Sequence, residues 1–172
     1  MSRGLTILLP TYNEVDALPK VVNDLPIDAL RAAGWEPRIV VADGRSTDGT
    51  QQTATGLNLE LIVQGPAAGK GFGMREGFAR FLAHHDDVLV MLDADGTYAP
   101  EEMLRLLKHL DRGSYDVVIG SRLRGDIQPG AMSRLNWIGN HILTWFAVAL
   151  YQVFISDVCT GYWAFRRSAI QK

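Results

Sequence analysis

The chain has 172 residues, of which 47% are hydrophobic and 21% are charged, so it can bury one sizeable core but is too short for two ordinary domains. Its formal net charge of -2 argues against wholesale binding of nucleic acid, which usually requires a basic surface. Its single cysteine, Cys159, excludes an intramolecular disulfide and a thiolate zinc site, and suits a reducing compartment such as the cytoplasm. We interpret this cysteine as a small buried thiol rather than a nucleophile.

Five short apolar runs predict the strands of a mostly parallel sheet. Each run is rich in Val, Ile and Leu, a pattern typical of strands that are buried on both faces. The stretches between the runs are long enough for crossover helices, which right-handed connections place on both faces of the sheet. In chain order, the predicted strands are 5–9, 38–42, 59–64, 88–92 and 116–120, and the predicted helical stretches are 14–33, 50–57, 73–84 and 100–110. Pro19 and Pro26 predict that the first crossover is broken into two short helices.

The apolar stretch 137–155 is long enough to raise the question of a membrane span. Polar residues recur at multiples of four along it and would form a stripe on one face of a helix: Asn136, Asn140, Thr144 and Gln152, with His141 beside them. This stripe argues against a span. Two alternatives stay open for the amphipathic segment 133–155, a helix in a membrane interface and a helix packed on the core. Trp137, Trp145 and Tyr151 suit the interface.

Polar residues follow the predicted strands at their carboxyl ends, the edge where parallel sheets bind ligands. Asp93 and Asp95 follow the fourth strand, and carboxylate oxygens are ligands that Mg²⁺ or Mn²⁺ prefers, with phosphates and water completing the shell. The alternative is a helix cap or a turn with Gly96. Asp43 follows the second strand, where it would accept hydrogen bonds from a nucleobase or form part of an ordinary Asx-rich turn.

Two further loops at this edge have weaker signals. The segment 69–71 matches neither the glycine spacing of a P-loop nor that of a dinucleotide-binding motif. Lys70 could still attract a phosphate through its positive charge alone. In the first loop, Tyr12 offers an aromatic face for a base. The alternative for that loop is a plain strand exit before a helix start at Asn13 or Glu14.

Taken in their order along the chain, these polar loops resemble the glycosyltransferase family 2 catalytic domain of GT-A fold. Within the family they are similar to the dolichol-phosphate mannosyltransferase and polyprenyl-phosphate glycosyltransferase branch. The segments that carry the resemblance cover nearly the whole chain: LPTYNE at 9–14, DGRSTDGT at 43–50, GKG at 69–71, DADGTY at 93–98, GSR at 120–122, GN at 139–140 and DVCTGYWAF at 157–165.

The resemblance implies a metal-dependent inverting glycosyltransferase that moves a sugar from a GDP- or UDP-linked donor to a polyprenyl-phosphate acceptor. It implies peripheral contact with the cytosolic face of a membrane, and Mg²⁺ or Mn²⁺ bound by Asp93 and Asp95. Arg122 and Arg134 would hold the acceptor phosphate, with Arg122 also counted as catalytic. The residues implied around the nucleotide sugar are Pro10, Thr11, Tyr12, Glu14, Asp43, Lys70, Asp93, Ala94 and Asp95.

Asp157 stands where the resemblance implies a carboxylate that faces the acceptor. It would act as the base or orient the acceptor. A phosphate monoester is already largely ionised near neutral pH, so a phosphate acceptor needs little help from a base. In that case Asp157 would act by positioning.

The chain departs from the family's pattern at three positions. Gly44 stands where a second Asp is usual, Thr97 where a glutamine is often found, and Met132 where a second phosphate-binding Arg is expected, with Arg134 nearby. The chain also ends at Lys172, where related enzymes continue, so we expect one C-terminally shortened catalytic domain. A family 2 transferase with a small soluble acceptor and a non-catalytic nucleotide-sugar-binding module remain alternatives.

Overall fold

The computed structural model of the chain describes residues 2–65, 69–113, 115–121, 123 and 134–171. The strands within these ranges are β1 (Arg3–Thr11), β2 (Trp35–Asp43), β3 (Glu60–Val63), β4 (Val88–Met91), β5 (Val117–Ile119) and β6 (Trp163–Arg166). The helices are α1 (Ala17–Asp24), α2 (Ile27–Ala32), α3 (Thr50–Gly56), α4 (Lys70–His84), α5 (Met103–Arg112), α6 (Arg134–Tyr151) and α7 (Arg167–Ile170). A short 3-10 helix, Pro100–Glu102, precedes α5.

The six strands form one mixed sheet in the order β3-β2-β1-β4-β6-β5. β1 pairs in parallel with β2 and β4, and β2 pairs in parallel with β3. β6 is antiparallel to both β4 and β5, so β5 runs in the same direction as β4. The five predicted strands are therefore all present and point the same way. This confirms the predicted α/β class with a mostly parallel sheet.

β6 is absent from the predicted elements, although it separates β4 from β5. It has four residues and ends at Arg166, so it lacks the continuous apolar run that marks the other strands. Its place depends on pairings with distant strands, in which Leu89 lies opposite Phe165 and Val118 lies opposite Ala164. Such long-range pairing leaves no signal within a short sequence window.

The central strands alternate their side chains between two cores. Leu5, Ile7 and Leu9 of β1 pack on one face with residues of α1, α2, α3 and α5. Leu8 faces the other side, where it packs with Phe81 of α4. All five side chains are fully buried. Because helices cover both faces, these strands have apolar residues at consecutive positions, as the sequence predicts.

The first crossover forms two short helices, as predicted, whereas the start of α4 differs from expectation. The first crossover is broken at Pro26, but Pro19 lies in the first turn of α1, where the missing amide proton leaves no helical hydrogen bond unmade. α4 begins at Lys70 rather than at 73, so Lys70 and Gly71 belong to its first turn and not to a free loop. The amino end of α4 therefore points Lys70 toward the edge of the sheet where the strands end.

α6 turns part of its polar stripe inward. Asn140 and Thr144 are 5% and 8% exposed, while Asn136 and His141 are exposed. The large apolar residues left exposed along this helix and just beyond it are Leu135, Trp137, Ile138, Ile142, Leu143, Trp145, Phe146, Val148, Leu150, Tyr151, Val153 and Phe154. Within the described part of the chain, no helix combines the length and the apolar character that crossing a membrane requires.

The prediction for Cys159 was wrong. The cysteine is exposed, in the turn that precedes β6. Cysteine is among the residue types most often buried, but in this turn the buried residues are Asp157 and Thr160.

Candidate active site

A cavity of about 530 Å³ opens at the carboxyl edge of the sheet. Its volume lies within the range of small-molecule sites. Residues far apart in the chain meet there because the carboxyl ends of neighbouring parallel strands share one edge. The lining residues come from the ends of four strands and the start of α4: Pro10, Thr11, Tyr12, Glu14, Gly44, Gln64, Gly69, Lys70, Asp93, Ala94 and Asp95.

Every residue expected around the nucleotide sugar lies on this cavity except Asp43. The residues that the sequence analysis missed are Gly44, Gln64 and Gly69. Gln64 is a buried polar residue at the end of the third predicted strand, and its side-chain oxygen accepts a hydrogen bond from the Gly69 N–H at 3.1 Å. A polar residue at the carboxyl end of an apolar run is the signal that would have identified it.

Asp43 is fully buried, and its carboxylate accepts hydrogen bonds from protein donors. The backbone N–H and hydroxyl of Ser46 donate to it at 2.9 and 2.5 Å, and the Gln51 side-chain amide donates at 2.8 Å. The Thr11 hydroxyl donates at 3.4 Å. Because a carboxylate has about four acceptor positions, this arrangement gives Asp43 the role of shaping the loop. A direct contact between Asp43 and a nucleobase stays a prediction.

Hydrogen bonds between side chains and the backbone connect the loop after β1 to the loop after β2. The Asn13 N–H donates to Ser46 Oγ at 2.8 Å, and the Thr47 N–H donates to Asn13 Oδ1 at 2.9 Å. The Glu14 N–H donates to Thr50 Oγ1 at 2.9 Å. These bonds hold the loop after β1 against the loop after β2. Tyr12, 64% exposed, therefore projects over the cavity from an anchored backbone.

Three acidic side chains line the cavity, those of Glu14, Asp93 and Asp95. Burial raises the pKa of the Glu14 carboxyl above its ordinary value of 4.5, and the negative charges of nearby aspartates, Asp95 first, add to this rise. Lys70 Nζ lies 2.5 Å from Asp93 Oδ1, so one lysine partly balances the negative charge. The remaining excess of negative charge favours a bound cation.

The donor set fits a divalent cation that shares its shell with a ligand. In the described ranges, no three or more His, Cys, Asp or Glu side chains form a complete protein cage for a metal. Asp93 and Asp95 both lie on the cavity, and Asp95 is exposed, with its Oδ1 accepting the Thr97 N–H at 2.8 Å. Mg²⁺ commonly binds through one or two carboxylates plus substrate phosphates and water. These residues therefore match a metal that binds together with a diphosphate.

Asp157 lies in the turn before β6 and is fully buried. Its Oδ1 accepts hydrogen bonds from Asn140 Nδ2 at 2.7 Å and from the Cys159 N–H at 3.1 Å. It is not among the residues that line the cavity. The turn nevertheless reaches the cavity wall at Gly161, where an added Cβ would overlap the Asp93 carboxyl group.

The side chains of the two predicted phosphate-binding arginines lie outside the described part of the chain. Arg122 lies outside the described residues. Arg134 is the first residue of α6, but its side chain is outside the described part of the chain. Their roles stay predictions.

Comparison with known proteins identifies the family. Residues 6–172 match the family model described as "Glycosyl transferase family 2". The chain belongs to glycosyl transferase family 2. This result confirms the resemblance that the motifs indicated, and it agrees with the sheet-edge cavity.

Two relatives resemble nearly the whole chain. Glycosyltransferase AglJ from Haloferax volcanii is 37% identical over 166 residues, which cover 96% of this chain and 51% of AglJ. Polyprenol monophosphomannose synthase from Mycolicibacterium smegmatis is 34% identical over 177 residues, which cover 96% of this chain and 63% of the relative. The chain thus spans between half and two-thirds of the length of these relatives.

A solved structure shows the same fold. Glucosyl-3-phosphoglycerate synthase from Mycobacterium tuberculosis, crystallised with Mn²⁺, UDP-glucose and phosphoglyceric acid, superimposes with a TM-score of 0.70. The match covers 96% of this chain and 57% of the synthase, at 19% sequence identity. At that identity the likeness confirms the GT-A fold of this family 2 member.

Proposed function

We propose that this protein is a metal-dependent inverting glycosyltransferase that moves a sugar from a GDP- or UDP-linked donor to a polyprenyl-phosphate acceptor. The observation that carries the proposal is the cavity at the sheet edge, which Tyr12 lines together with Asp93, Asp95 and Lys70. Membership of family 2 and the likeness to a polyprenol monophosphomannose synthase support it.

In this proposal the base lies against Tyr12 and the diphosphate lies near Lys70. Tyr12 offers its ring to the base, and Gly44 lies beside it, where a side chain would press on the ring: an added Cβ would come within 3.3 Å of Tyr12 Cδ2. Lys70 sits in the first turn of α4, so its ammonium and the amino end of the helix both favour an anion. We place the diphosphate between Lys70 and the Asp93–Asp95 pair.

Asp93 and Asp95 would hold Mg²⁺ or Mn²⁺. When bound, the metal supplies positive charge that stabilises the departing diphosphate. Lys70 contributes a second, fixed positive charge at the same place. Before the donor binds, its ion pair with Asp93 keeps that carboxylate at the cavity wall.

The transfer is a single displacement. An oxygen of the acceptor phosphate forms a bond to the anomeric carbon while the bond from that carbon to the diphosphate breaks, and the nucleoside diphosphate leaves with the electron pair. Arg122 and Arg134 would hold the acceptor phosphate, since a guanidinium matches phosphate geometry. The phosphate is already ionised, so burial of Asp157 fits a positioning role better than proton removal.

The exposed apolar side chains of α6 support peripheral contact with the cytosolic face of a membrane, where a lipid-linked acceptor would be found. Trp137, Trp145 and Tyr151 are all exposed on this helix, and aromatic residues suit the membrane interface. The polyprenyl chain would stay in the bilayer while its phosphate reaches the site. We therefore propose that the protein acts in the cytoplasm, at the membrane surface.

The proposal is tested by transfer assays with Mn²⁺, a panel of GDP- and UDP-sugars and a polyprenyl phosphate. Asp95→Ala should lower transfer by about 100-fold or more, since it removes a metal ligand. Asp24→Ala, at an exposed carboxylate that ends α1, serves as the matched control and should behave as wild type. Metal-dependent transfer that survives unchanged in Asp95→Ala would contradict the proposal.

A second candidate keeps the donor chemistry but uses a small soluble acceptor. The structural neighbour crystallised with phosphoglyceric acid favours it. Supplying phosphoglycerate and polyprenyl phosphate in parallel distinguishes the two, and flotation with liposomes tests the membrane contact separately. Tight donor binding without transfer to either acceptor would indicate a non-catalytic nucleotide-sugar-binding module instead.

A further inference from the structure

The motif at 139–140 has no role in the proposed chemistry, yet Asn140 is one of the most buried residues of α6. Asn140 and Thr144 lie one turn apart on the inner face of the helix, and both are more than nine-tenths buried. A helix packed for stability alone would turn apolar side chains inward, since burying apolar surface stabilises the folded state. α6 does the opposite, because Ile142, Leu143 and Phe146 are exposed.

The two inward residues form a hydrogen-bonded chain with the turn that carries Asp157. The Val158 N–H donates to Thr144 Oγ1 at 3.1 Å, and the Thr144 hydroxyl donates to Asn140 Oδ1 at 3.3 Å. Asn140 Nδ2 then donates to Asp157 Oδ1 at 2.7 Å, where the Cys159 N–H also donates. Each donor in this chain meets an acceptor, and Asp157 Oδ1 accepts one hydrogen bond from the helix and one from its own turn, so the two elements together orient the carboxylate.

The same turn continues to the wall of the donor cavity. The Gly161 N–H donates to the Tyr98 hydroxyl oxygen at 2.5 Å, and Gly161 packs directly on the Asp93 carboxyl group. The segment from Asp157 to Gly161 is therefore held by α6 on one side and by the donor-site loop on the other. A shift of α6 would move this segment relative to Asp93.

We propose that Asn140 and Thr144 are positioning residues for sugar transfer. They act through Asp157 and its turn, and they touch neither the donor nor the acceptor. The inference rests on the proposed function, in which Asp157 orients the acceptor. It assigns to the inner face of α6 a role in the transfer step, while the outer face of the same helix carries the exposed apolar side chains.

The test compares Thr144→Val, which removes the hydroxyl but keeps the shape, with Thr144→Ser, which keeps the hydroxyl. Asn140→Leu removes the amide at similar volume. Thr55→Val is the matched control, because the Thr55 hydroxyl also lies on a helix and donates to the Gln51 carbonyl, but at an exposed position. Measurements are kcat and KM for the donor, the Kd of a Mn²⁺–nucleotide complex by calorimetry, and the thermal midpoint.

Thr144→Val and Asn140→Leu should lower kcat about 10- to 100-fold, the loss expected from misplacing a group in the transfer site. The donor KM and nucleotide Kd should stay within about twofold. Thr144→Ser should recover most of the lost kcat, and Thr55→Val should match wild type. Because donor binding is measured separately, a loss that spares it cannot come from a collapsed donor site.

An unchanged kcat in Thr144→Val and Asn140→Leu would overturn the inference. So would equal losses in Thr144→Ser and Thr144→Val, or a fall in kcat that is matched by weaker nucleotide binding and a lower thermal midpoint, since these indicate a purely structural role. Wild-type protein that binds the nucleotide but transfers no sugar would overturn the proposed function, and this inference with it.

Discussion

The close approach of Gly161 to Asp93 makes Gly161→Ala a sharp test of the site. The three atoms that an added Cβ would approach are Oδ2, Cγ and Oδ1 of Asp93. Gly161 is not among the glycines with positive φ, so alanine is compatible with its backbone and the effect arises from the methyl group alone. To reach an ordinary contact, the Asp93 carboxylate must move by about 1 Å or more.

The size of the effect follows from that displacement. Misplacing a group by about 1 Å in an active site costs on the order of 100-fold, which corresponds to about 2.7 kcal/mol. The crowded contact should also lower the free energy of unfolding by about 1–3 kcal/mol. We therefore expect Gly161→Ala to fold with a reduced thermal midpoint, and to bind Mn²⁺ and nucleotide much more weakly.

The assay is calorimetric titration of Mn²⁺ with GDP or UDP, alongside a thermal melt. Gly56→Ala is the control, because Gly56 ends α3 and an added Cβ there would have nothing within 4 Å. It should bind as wild type does. If Gly161→Ala bound the metal and nucleotide with wild-type affinity, the reasoning that places Asp93 in the donor site would be refuted.

Three further perturbations probe the charges and backbone of the same edge. Lys70→Met should weaken nucleoside diphosphate binding about tenfold or more, and unchanged calorimetric affinity would contradict the role of Lys70. The pKa of Glu14 is raised on folding, so the folded protein holds its proton more tightly and the free energy of unfolding falls as pH rises from 4.5 through the folded-state pKa. Glu14→Gln should therefore make the metal-free protein more stable at pH 7 and change little below pH 4.5, and thermal melts showing the reverse would rule this out. Arg45 has φ of 67°, so Arg45→Gly should raise the free energy of unfolding by about 0.5 kcal/mol in denaturant titrations, whereas a decrease would show that the Arg45 side chain stabilises the loop.

The sequence alone was sufficient for the five parallel strands and for the edge where the cavity lies. Buried parallel strands leave continuous apolar runs, and these runs are local features of the chain. Once five such strands are parallel, the polar residues at their carboxyl ends must share one edge. This is why the sequence predicts Tyr12, Glu14, Lys70, Asp93 and Asp95 as neighbours, and all five line the cavity.

Only the tertiary structure decided which polar groups are available and which are already bonded. Asp43 and Asp93 follow strands in the same way, yet Asp43 is enclosed by donors from its own loop while Asp93 reaches the cavity. The difference depends on where the Ser46 and Gln51 side chains point, which sequence spacing does not determine. The insertion of β6 between β4 and β5 likewise depends on pairings between residues far apart in the chain.

In α6 the sequence determines one feature of the helix and the tertiary structure determines another. Its amphipathic pattern was visible in the sequence, because residues four apart share one helix face. The sequence does not show which face of the helix points toward the core, because that depends on what the helix packs against. The turn before β6 presents the Asp157 carboxylate and the Val158 N–H, so Asn140 and Thr144 turn inward to bond them, and the large apolar residues of α6 stay exposed.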